Sequence, residues 1–307
     1  MSKKVLIATV KPFAPAAVEG IREVLTKAGY ELSVLEKYES QDELIAAVAD
    51  VDAMIIRSDK ATKEVIEAAK NLKVIVRAGA GFDNIDCAAC TERGVVAMNT
   101  PGQNSNAVAE LALGMMVFLA RNGFNGKAGS ELKGKKIGIH AYGNVGRNVG
   151  RVAKGFGMEV YAFDPFMSKE QIEEAGAIAI ETVEELYSTC DYVSLHIPAN
   201  VHTKGSINYD LVNRMPKGGV LVNTARKEVI DEAGLVKLMA DRDDIKYISD
   251  VAPDNAAEYA QFDGRYFFTP KKMGAQTAEA NINAGIAGAN QIVNFIENGD
   301  EKFRVNK

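Results

Sequence analysis

Short apolar runs alternate with helical stretches along almost the whole chain. In the first part of the chain the runs are VLIATV, LSVLE, AMIIRS, KVIVRAG and VVAMNT, and helices are predicted over 16–28, 41–49, 62–69 and 84–92. Strands rich in Val and Ile that are separated by helices indicate a parallel sheet with right-handed crossovers.

The alternation stops at Pro101 and Gly102 and resumes after a long helix predicted over 105–121. The strands predicted in this second part are KIGIHA, EVYAF, YVSLH, GVLVNT, YISD and YFFTP, and a last helix covers 279–298. This order predicts an α/β fold of two doubly wound parallel-sheet, Rossmann-like domains with a cleft between them, where a substrate would bind.

Composition narrows the class of function. The chain has 307 residues, 47% of them hydrophobic, and a net charge of −5, so no nucleic acid partner is expected. The longest apolar stretch, 107–120, contains Glu110 and is too short to span a membrane. Three cysteines and no secretory signal favour the cytoplasm, and the C-x-x-C of Cys87 and Cys90 lacks the second ligand pair of a metal site.

A glycine-rich turn follows the strand KIGIHA. The pattern G-x-G-x-x-G is present with Ala141 in the first position, followed by Tyr142, Gly143, Asn144, Val145 and Gly146. We expect Gly143 to let the backbone approach a pyrophosphate and Gly146 to let helix and strand pack closely. Asp164 closes the next strand, where a carboxylate can hold ribose hydroxyls and repel a 2′-phosphate, and no arginine stands in the following Pro165-Phe166-Met167. This favours NAD over NADP.

Four segments together carry a resemblance to a known family: GKKIGIHAYGNVGRNVGRVAKGFGMEVYAFDP, LHIPANVHTKGSIN, GGVLVNTARKEVID and RAGAGFDNID. They resemble the D-isomer-specific 2-hydroxyacid dehydrogenases and, within that family, the short D-3-phosphoglycerate dehydrogenases. The resemblance implies a substrate-binding domain made of residues 1–99 and 283–307, an NAD-binding domain of residues 100–282, and a homodimer through the long helix 105–121.

The resemblance also implies roles for residues of the second part of the chain. Arg226 matches the arginine that pairs with the substrate carboxylate and polarises its carbonyl, a role that suits a planar guanidinium. Asp250 matches the acid that accepts from the nicotinamide carboxamide. The other matches along the cofactor are Pro165, His196, Ile197, Pro198, Thr224, Ala225, Gly274 and Ala275, and for His196 we expect mainly a packing role.

Further matches fall in the first part of the chain. In RAGAGFDNID the glycines Gly79 and Gly81 are expected to let backbone N–H groups reach the substrate carboxylate. Arg57 and Arg77 match positions used around the phosphate of phosphoglycerate, and two arginines can neutralise a doubly charged group. The remaining substrate-binding candidates are Ser58, Ala78, Ala80 and Asn104.

The chain departs from the family where the chemistry occurs. Asn255 stands at the position of the family's glutamate, and Lys272 aligns with its catalytic histidine, with Lys271 as a one-residue insertion. A lysine needs no carboxylate to fix a tautomer, so loss of both family residues is self-consistent. We expect desolvation and the Arg226 cation to lower the pKa of Lys272 enough for it to act as the base. Asp254 and Glu258 stay open as carboxylates that could reach this lysine.

Three functions are open at this point. The leading hypothesis is the NAD-dependent oxidation of D-3-phosphoglycerate to 3-phosphohydroxypyruvate, the first step of serine synthesis. A glyoxylate or hydroxypyruvate reductase is the alternative enzyme, and a non-catalytic NAD-sensing protein is the alternative from another class. Only DEKFRVNK follows Gly299, so a regulatory domain for serine is not expected.

Overall fold

The structure is a computed structural model that describes residues 2–306. Of these, the residues up to Asn104 and from Thr277 onward form one compact unit, and Ser105–Gln276 form the other. Each unit contains a parallel sheet with helices on both faces, which confirms the predicted fold class.

Strands and helices alternate through the first unit. Their bounds are β1 (Lys4–Thr9), α1 (Pro15–Lys27), β2 (Glu31–Glu36), α2 (Gln41–Val48), β3 (Ala53–Ile56), α3 (Lys63–Ala68), β4 (Val74–Arg77), α4 (Cys87–Glu92) and β5 (Val96–Asn99). The described residues give a five-stranded sheet in the order β2-β1-β3-β4-β5.

The second unit begins with a long helix and then repeats the same alternation. Its elements are α5 (Ser105–Ala120), β6 (Lys136–His140), α6 (Asn144–Gly155), β7 (Glu159–Phe163), α7 (Lys169–Glu174), β8 (Ile178–Ala179), α8 (Val183–Thr189), β9 (Tyr192–Leu195), α9 (Tyr209–Val212), β10 (Val220–Asn223), α10 (Glu232–Asp241), β11 (Lys246–Ser249) and β12 (Tyr266–Phe268). The chain then returns to the first unit as α11 (Ala278–Asn298).

The strand pattern decides which helices cover each face of the first sheet. Successive side chains of a strand point to opposite faces. Val5 and Ile7 of β1 belong to a buried cluster with α1 and α11, whereas Leu6 and Ala8 belong to one with α2, α3 and α4. Both faces are therefore covered, which is why these strands read as continuous apolar runs.

The last described residues are hydrogen-bonded to β5, the strand at one edge of the first sheet. The N–H of Ala97 donates to Oδ1 of Asn306 at 2.8 Å, and the N–H of Val305 donates to the carbonyl of Ala97 at 2.8 Å. Asn306 is 2% exposed and also donates to the carbonyl of Val95. The last described residues are thus part of the packed structure of the first unit.

The second sheet has the order β12-β11-β10-β9-β6-β7-β8, and all of its described pairs are parallel. Helices α5 and α6 pack on one face, and α8, α9 and α10 pack on the other. The six predicted strands are present. The sheet also contains β8, which was not predicted because a two-residue strand leaves no recognisable apolar run. The direction of winding reverses between β6 and β9, which is where doubly wound sheets bind ligands.

The cysteines and the apolar helix have ordinary structural roles. Cys87 opens α4, Cys90 is buried in it, and these two and Cys190 are free thiols. Burial raises the pKa of Cys90 to about 12, so its thiol is not reactive near neutral pH. Within residues 2–306, no helix combines the length and apolar character needed to cross a bilayer.

Packing against the turn after β6 generates a stability prediction for α6. A Cβ at Gly146 would lie 2.3 Å from the carbonyl oxygen of Ala141, whereas a Cβ at Gly155 of the same helix would meet no heavy atom within 4 Å. Gly146→Ala should therefore destabilise the fold by about 1–3 kcal/mol, and Gly155→Ala should be neutral or stabilise it by up to about 1 kcal/mol. Urea unfolding of both variants measures the difference, and equal losses would contradict the close packing of Gly146.

Candidate functional site

The carboxyl ends of the strands of the second sheet lie along one edge, and most of the predicted site residues follow directly after them. The turn 142–146 follows β6, Asp164 and Pro165 follow β7, His196, Ile197 and Pro198 follow β9, Thr224, Ala225 and Arg226 follow β10, Asp250 follows β11, and Lys272, Gly274 and Ala275 follow β12. Parallel pairing thus brings segments that are distant in sequence to the same edge.

The turn after β6 has the features of an anion-binding turn. Ala141 has φ +76°, a left-handed conformation that glycine usually adopts. Gly146 lies close to the carbonyl oxygen of Ala141, and this allows α6 to pack against β6. Gly143 has φ −73° and a Cβ there would meet no heavy atom within 4 Å, so neither backbone conformation nor packing requires glycine. The open space around Gly143 leaves its backbone accessible to a ligand.

The first turn of α6 supports that interpretation. Gly143 is the N-cap, no side chain caps the helix, and no acidic residue stands in the first turn. The N–H groups of Asn144, Val145 and Gly146 and the positive end of the helix dipole suit the pyrophosphate of a dinucleotide. The residues present therefore fit this group.

Asp164 is held in place by two backbone donors. Its Oδ2 accepts from the N–H of Tyr142 at 2.8 Å, and its Oδ1 accepts from the N–H of Phe166 at 2.9 Å. Each oxygen of a carboxylate has a second lone pair, so capacity for ribose hydroxyls remains. Arg147 of α6, which the sequence pattern did not single out, reaches the segment after Asp164, because its Nη2 lies 3.7 Å from the sulfur of Met167.

The turn after β10 is fixed by a buried amide that the sequence analysis did not select. Asn223 is 0% exposed, its Oδ1 accepts from the N–H of Ala225 at 2.9 Å, and its Nδ2 donates to the carbonyl of Arg226 at 3.1 Å. An Asn that bonds to the backbone two residues on is a known turn former, so a signal was available. The amide thus holds the peptide group before Ala225 and the one after Arg226.

Two cations converge on the carbonyl of Ala225. It accepts from Nζ of Lys272 at 2.7 Å and from Nη1 of Arg226 at 3.2 Å, and Lys272 also lies 3.3 Å from the carbonyl of Thr224. The structure therefore brings together the two residues that the sequence predicted to be catalytic. The Arg226 residue is exposed, so its guanidinium retains donors for an acidic ligand.

Lys272 has a carboxylate partner. Its Nζ lies 2.8 Å from Oδ1 of Asp250, whose side chain is 1% exposed, and Oδ2 of that carboxylate accepts from the N–H of Gly274 at 2.9 Å. The carboxylate predicted to meet the nicotinamide carboxamide is therefore already bonded through both oxygens in the structure.

The two carboxylates left open by the sequence have other surroundings. Asp254 forms an ion pair with Lys227. No contact between Glu258 and Lys272 occurs among the described residues. Asn255, at the position of the family's glutamate, donates from Nδ2 to the carbonyl of Glu232 at 3.3 Å. The partner of the lysine comes from the end of β11 instead.

The environment lowers the pKa of Lys272. Partial burial is the main cause, although 40% of the side chain is exposed, and the neighbouring cation Arg226 acts in the same direction, while Asp250 opposes both. This direction agrees with the sequence-based expectation. The preceding Lys271 is exposed as well, but unlike Lys272 it makes no side-chain hydrogen bond or ion pair to another described residue. The two adjacent lysines are thus in different environments.

His196 is held as a neutral imidazole. Its Nε2 lies 3.0 Å from Oγ of Ser194 and its Nδ1 lies 3.4 Å from Oγ1 of Thr224. Burial, with smaller effects of His140 and Lys272, lowers its pKa to about 3. This environment agrees with a packing role. His140 is 9% exposed, and burial lowers its pKa from 6.5 to about 4.

In the first unit, the guanidinium of Arg57 is largely bonded to the chain. Its Nη1 donates to the carbonyls of Lys11 and Pro12, at 3.1 and 3.2 Å, and its Nη2 donates to Oδ1 of Asn281 at 2.6 Å. The group also lies over the ring of Phe13, 5.0 Å from its centroid. Only part of its donor capacity is left for a phosphate.

The loop after β4 is arranged around Arg77 and Gly79. Nε of Arg77 donates to the carbonyl of Arg57 at 2.9 Å. Gly79 has φ +147°, and a Cβ there would lie 1.8 Å from Nη1 of Arg77, so glycine is required. The N–H of Gly79 donates to Oγ1 of Thr100 at 2.7 Å, which takes up one donor that was expected to face a substrate carboxylate.

The remaining substrate-binding candidates lie around this loop. Ala78 donates its N–H to the carbonyl of Ile56 at 2.8 Å, and the carbonyl of Ala80 accepts from Asn99. Ser58 and Ala80 are exposed, Gly81 and Asn104 are half-buried, and Asn104 is the last residue of the first unit before α5.

The chain is similar to known proteins in both sequence and structure. The sequence profile described as D-isomer specific 2-hydroxyacid dehydrogenase, NAD binding domain, matches residues 107–264. The D-3-phosphoglycerate dehydrogenase of Archaeoglobus fulgidus is 36% identical over 95% of this chain and 57% of its own length. The hydroxypyruvate reductase of Thermotoga maritima is 35% identical over 83% of this chain and 88% of its own length.

A solved structure matches over the full length. The crystal structure of NAD+-bound 3-phosphoglycerate dehydrogenase in Entamoeba histolytica is 49% identical, covers 100% of this chain and 99% of its own, and has a TM-score of 0.86. By contrast, the chain spans only about half the length of several curated D-3-phosphoglycerate dehydrogenases, for example 54% of the rat protein.

The buried His140 generates a pH prediction. Because its folded pKa of about 4 lies below the ordinary value of 6.5, the unfolded chain binds a proton that the folded chain rejects. Stability should therefore fall as the pH drops from about 6.5 toward 4, and between pH 7.5 and 5 this histidine alone should remove about 2 kcal/mol. Urea unfolding measures the loss, His140→Asn should flatten the pH dependence, and an unchanged slope in that variant would refute the assignment.

Proposed function

Because the chain belongs to the D-isomer specific 2-hydroxyacid dehydrogenase family, we propose that it oxidises D-3-phosphoglycerate to 3-phosphohydroxypyruvate with NAD, the first step of serine synthesis. The observation that carries this proposal is the 49% identity to the Entamoeba histolytica 3-phosphoglycerate dehydrogenase over essentially both chains. That match involves a protein of similar length, whereas the Archaeoglobus relative has 57% of its length aligned.

The second unit would hold NAD at the carboxyl edge of its sheet. Its residues fit the cofactor through the uncapped first turn of α6 after Gly143 and through the fixed carboxylate of Asp164. NAD, when bound, supplies the acceptor for the hydride that leaves C2 of the substrate. The negative charge of Asp164 disfavours the 2′-phosphate of NADP.

Arg226 and Lys272 would carry the substrate chemistry. Arg226 binds the carboxylate of the hydroxyacid and polarises the C2 oxygen, because its guanidinium is always charged and offers paired donors. Lys272 takes the proton of the C2 hydroxyl during oxidation and returns it during reduction. The lowered pKa of Lys272 supports this role, since a lysine must lose its proton before it can act as a base.

A second substrate is favoured by two observations. The Thermotoga maritima relative is a hydroxypyruvate reductase, and 88% of it aligns with this chain. The guanidinium of Arg57 is bonded to Lys11, Pro12 and Asn281, which leaves fewer donors for a phosphate. Reduction of unphosphorylated hydroxypyruvate is therefore the alternative function.

We also propose a homodimer formed through residues 105–121 and a cytoplasmic location. Helix α5 is mostly apolar. Just beyond it Phe124 is 65% exposed, and the centroid of its ring lies 5.5 Å from that of Phe118. The three free cysteines suit a reducing compartment.

A substrate comparison tests the proposed reaction. Purified protein should reduce 3-phosphohydroxypyruvate with a kcat/KM at least about tenfold above that for hydroxypyruvate, because a charge-assisted bond to phosphate contributes roughly 1.5–3 kcal/mol. Arg57→Ala should raise the KM for the phosphorylated substrate by about 10–150-fold and leave that for hydroxypyruvate nearly unchanged. Hydroxypyruvate is the internal control for the structural bonds of Arg57. Equal losses on both substrates would show that Arg57 acts through its structural bonds and not on the phosphate, whereas a wild-type preference for hydroxypyruvate would favour the reductase.

The adjacent lysines provide a matched pair for the acid–base role. Lys272→Ala should lower kcat by about 10²–10⁴-fold with NAD affinity retained, because general acid–base catalysis contributes that much. Lys271→Ala, the control, should change kcat little. The wild-type oxidation rate should rise toward alkaline pH as the lysine becomes neutral. Steady-state kinetics and NAD titration measure these effects. If Lys271→Ala is the damaging change instead, the alignment is off by one residue and Lys272 is the insertion.

A further inference from the structure

The segment after β12 is fitted to the carboxylate of Asp250. Oδ1 pairs with Nζ of Lys272 at 2.8 Å, and Oδ2 accepts from the N–H of Gly274 at 2.9 Å. A Cβ at Gly274 would lie 2.7 Å from that Oδ2, so a larger residue could not make the same approach. One buried side chain thus fixes both the ammonium and the backbone two residues beyond it.

We propose that Asp250 is the positioning residue for Lys272: its carboxylate holds the ammonium on the carbonyl of Ala225 beside Arg226 and favours the protonated lysine. The pairing itself rests on the contacts of the second unit, and its catalytic meaning rests on the function proposed above. In this pair the carboxylate comes from Asp250 at the end of β11. The family's carboxylate lies five residues later in the sequence, at the position where this chain has Asn255.

The charges around Lys272 define what the carboxylate does. The charged and titratable groups that face it in the second unit are Asp250, Arg226, Glu228 and His196. Burial and Arg226 lower the pKa of the lysine, and Asp250 is the main group that opposes them. Removal of the Asp250 charge therefore leaves the lowering effects unopposed, and the pKa of Lys272 should fall further.

This balance bears on the direction of the reaction. Reduction of the keto acid needs a protonated lysine as proton donor, and oxidation of the hydroxyacid needs a neutral one. By stabilising the ammonium, Asp250 keeps the lysine competent for reduction up to a higher pH. Loss of the carboxylate should move the onset of oxidation to lower pH and weaken reduction above neutral pH.

The chain offers a matched control in the following loop. Asp254 carries the same charge, but its carboxylate pairs with Lys227. Asp254→Asn changes the net charge of the protein as Asp250→Asn does and leaves the Lys272 pair intact. It therefore separates a specific contact from a general change in charge.

The primary measurement needs no activity. Trace acylation of the lysines of the cofactor-free protein is followed by peptide mass spectrometry across the alkaline pH range, with Lys271 as the reference amine in the same peptide. In Asp250→Asn the midpoint of Lys272 acylation should fall by at least about one pH unit, and in Asp254→Asn it should stay at the wild-type value. Asp250→Ser, which removes the carboxylate without added volume, is the second variant if the first does not fold by circular dichroism.

The pH profile of kcat for oxidation is the second measurement, and its limb should shift by the same amount. An unchanged acylation midpoint in Asp250→Asn and Asp250→Ser would overturn the proposal, as would an equal shift in Asp254→Asn. A shifted acylation midpoint with an unshifted kcat profile would support the pairing and refute Lys272 as the base, so the failure of the proposed function is distinguishable from the failure of this inference.

Discussion

A single backbone carbonyl, that of Ala225, accepts hydrogen bonds from two cationic side chains, and the arrangement of the candidate site depends on it. Two like charges this close repel each other, so the pair persists only where acceptors and an opposite charge compensate. The carbonyl supplies the acceptor, the buried amide of Asn223 holds the N–H of Ala225 and the carbonyl of Arg226 in the same turn, and Asp250 supplies the charge. Three strand ends, those of β10, β11 and β12, must be in register for these groups to meet.

The same architecture serves both units, but their edges differ in chemistry. In the second unit the edge combines an uncapped helix N-terminus, the carboxylate of Asp164 and the two cations. In the first unit Arg57, directly after β3, and Arg77, the last residue of β4, donate to backbone carbonyls, so much of their donor capacity stabilises loops. A guanidinium has five donors, and Arg57 divides them between the fold and whatever it binds.

Much of the fold could be predicted from the sequence, because strands buried on both faces appear as uninterrupted apolar runs. β8 could not, since Ile178–Ala179 is too short to form such a run. The turn 142–146 was recognisable because its spacing reflects a backbone requirement. Its first residue, Ala141, nevertheless adopts the positive φ that glycine would adopt more easily. The pairing of Lys272 with Asp250 was not recognisable, since sequence spacing does not say how far a flexible side chain reaches. For the same reason the sequence did not reveal that the hydroxyl of Thr100 accepts a hydrogen bond from the N–H of Gly79.

The first unit is built from two segments that are far apart in the sequence, and this has a consequence for synthesis on the ribosome. Ala17, Ile21 and Leu25 of α1 are translated long before Ala289 and Ile292 of α11, although the five residues pack in one cluster. The whole of Ser105–Gln276 is translated before that partner helix exists. The first unit is therefore completed only after the second, and the part of its apolar surface that α11 covers has to remain exposed, or shielded by a chaperone, while the second unit is being made.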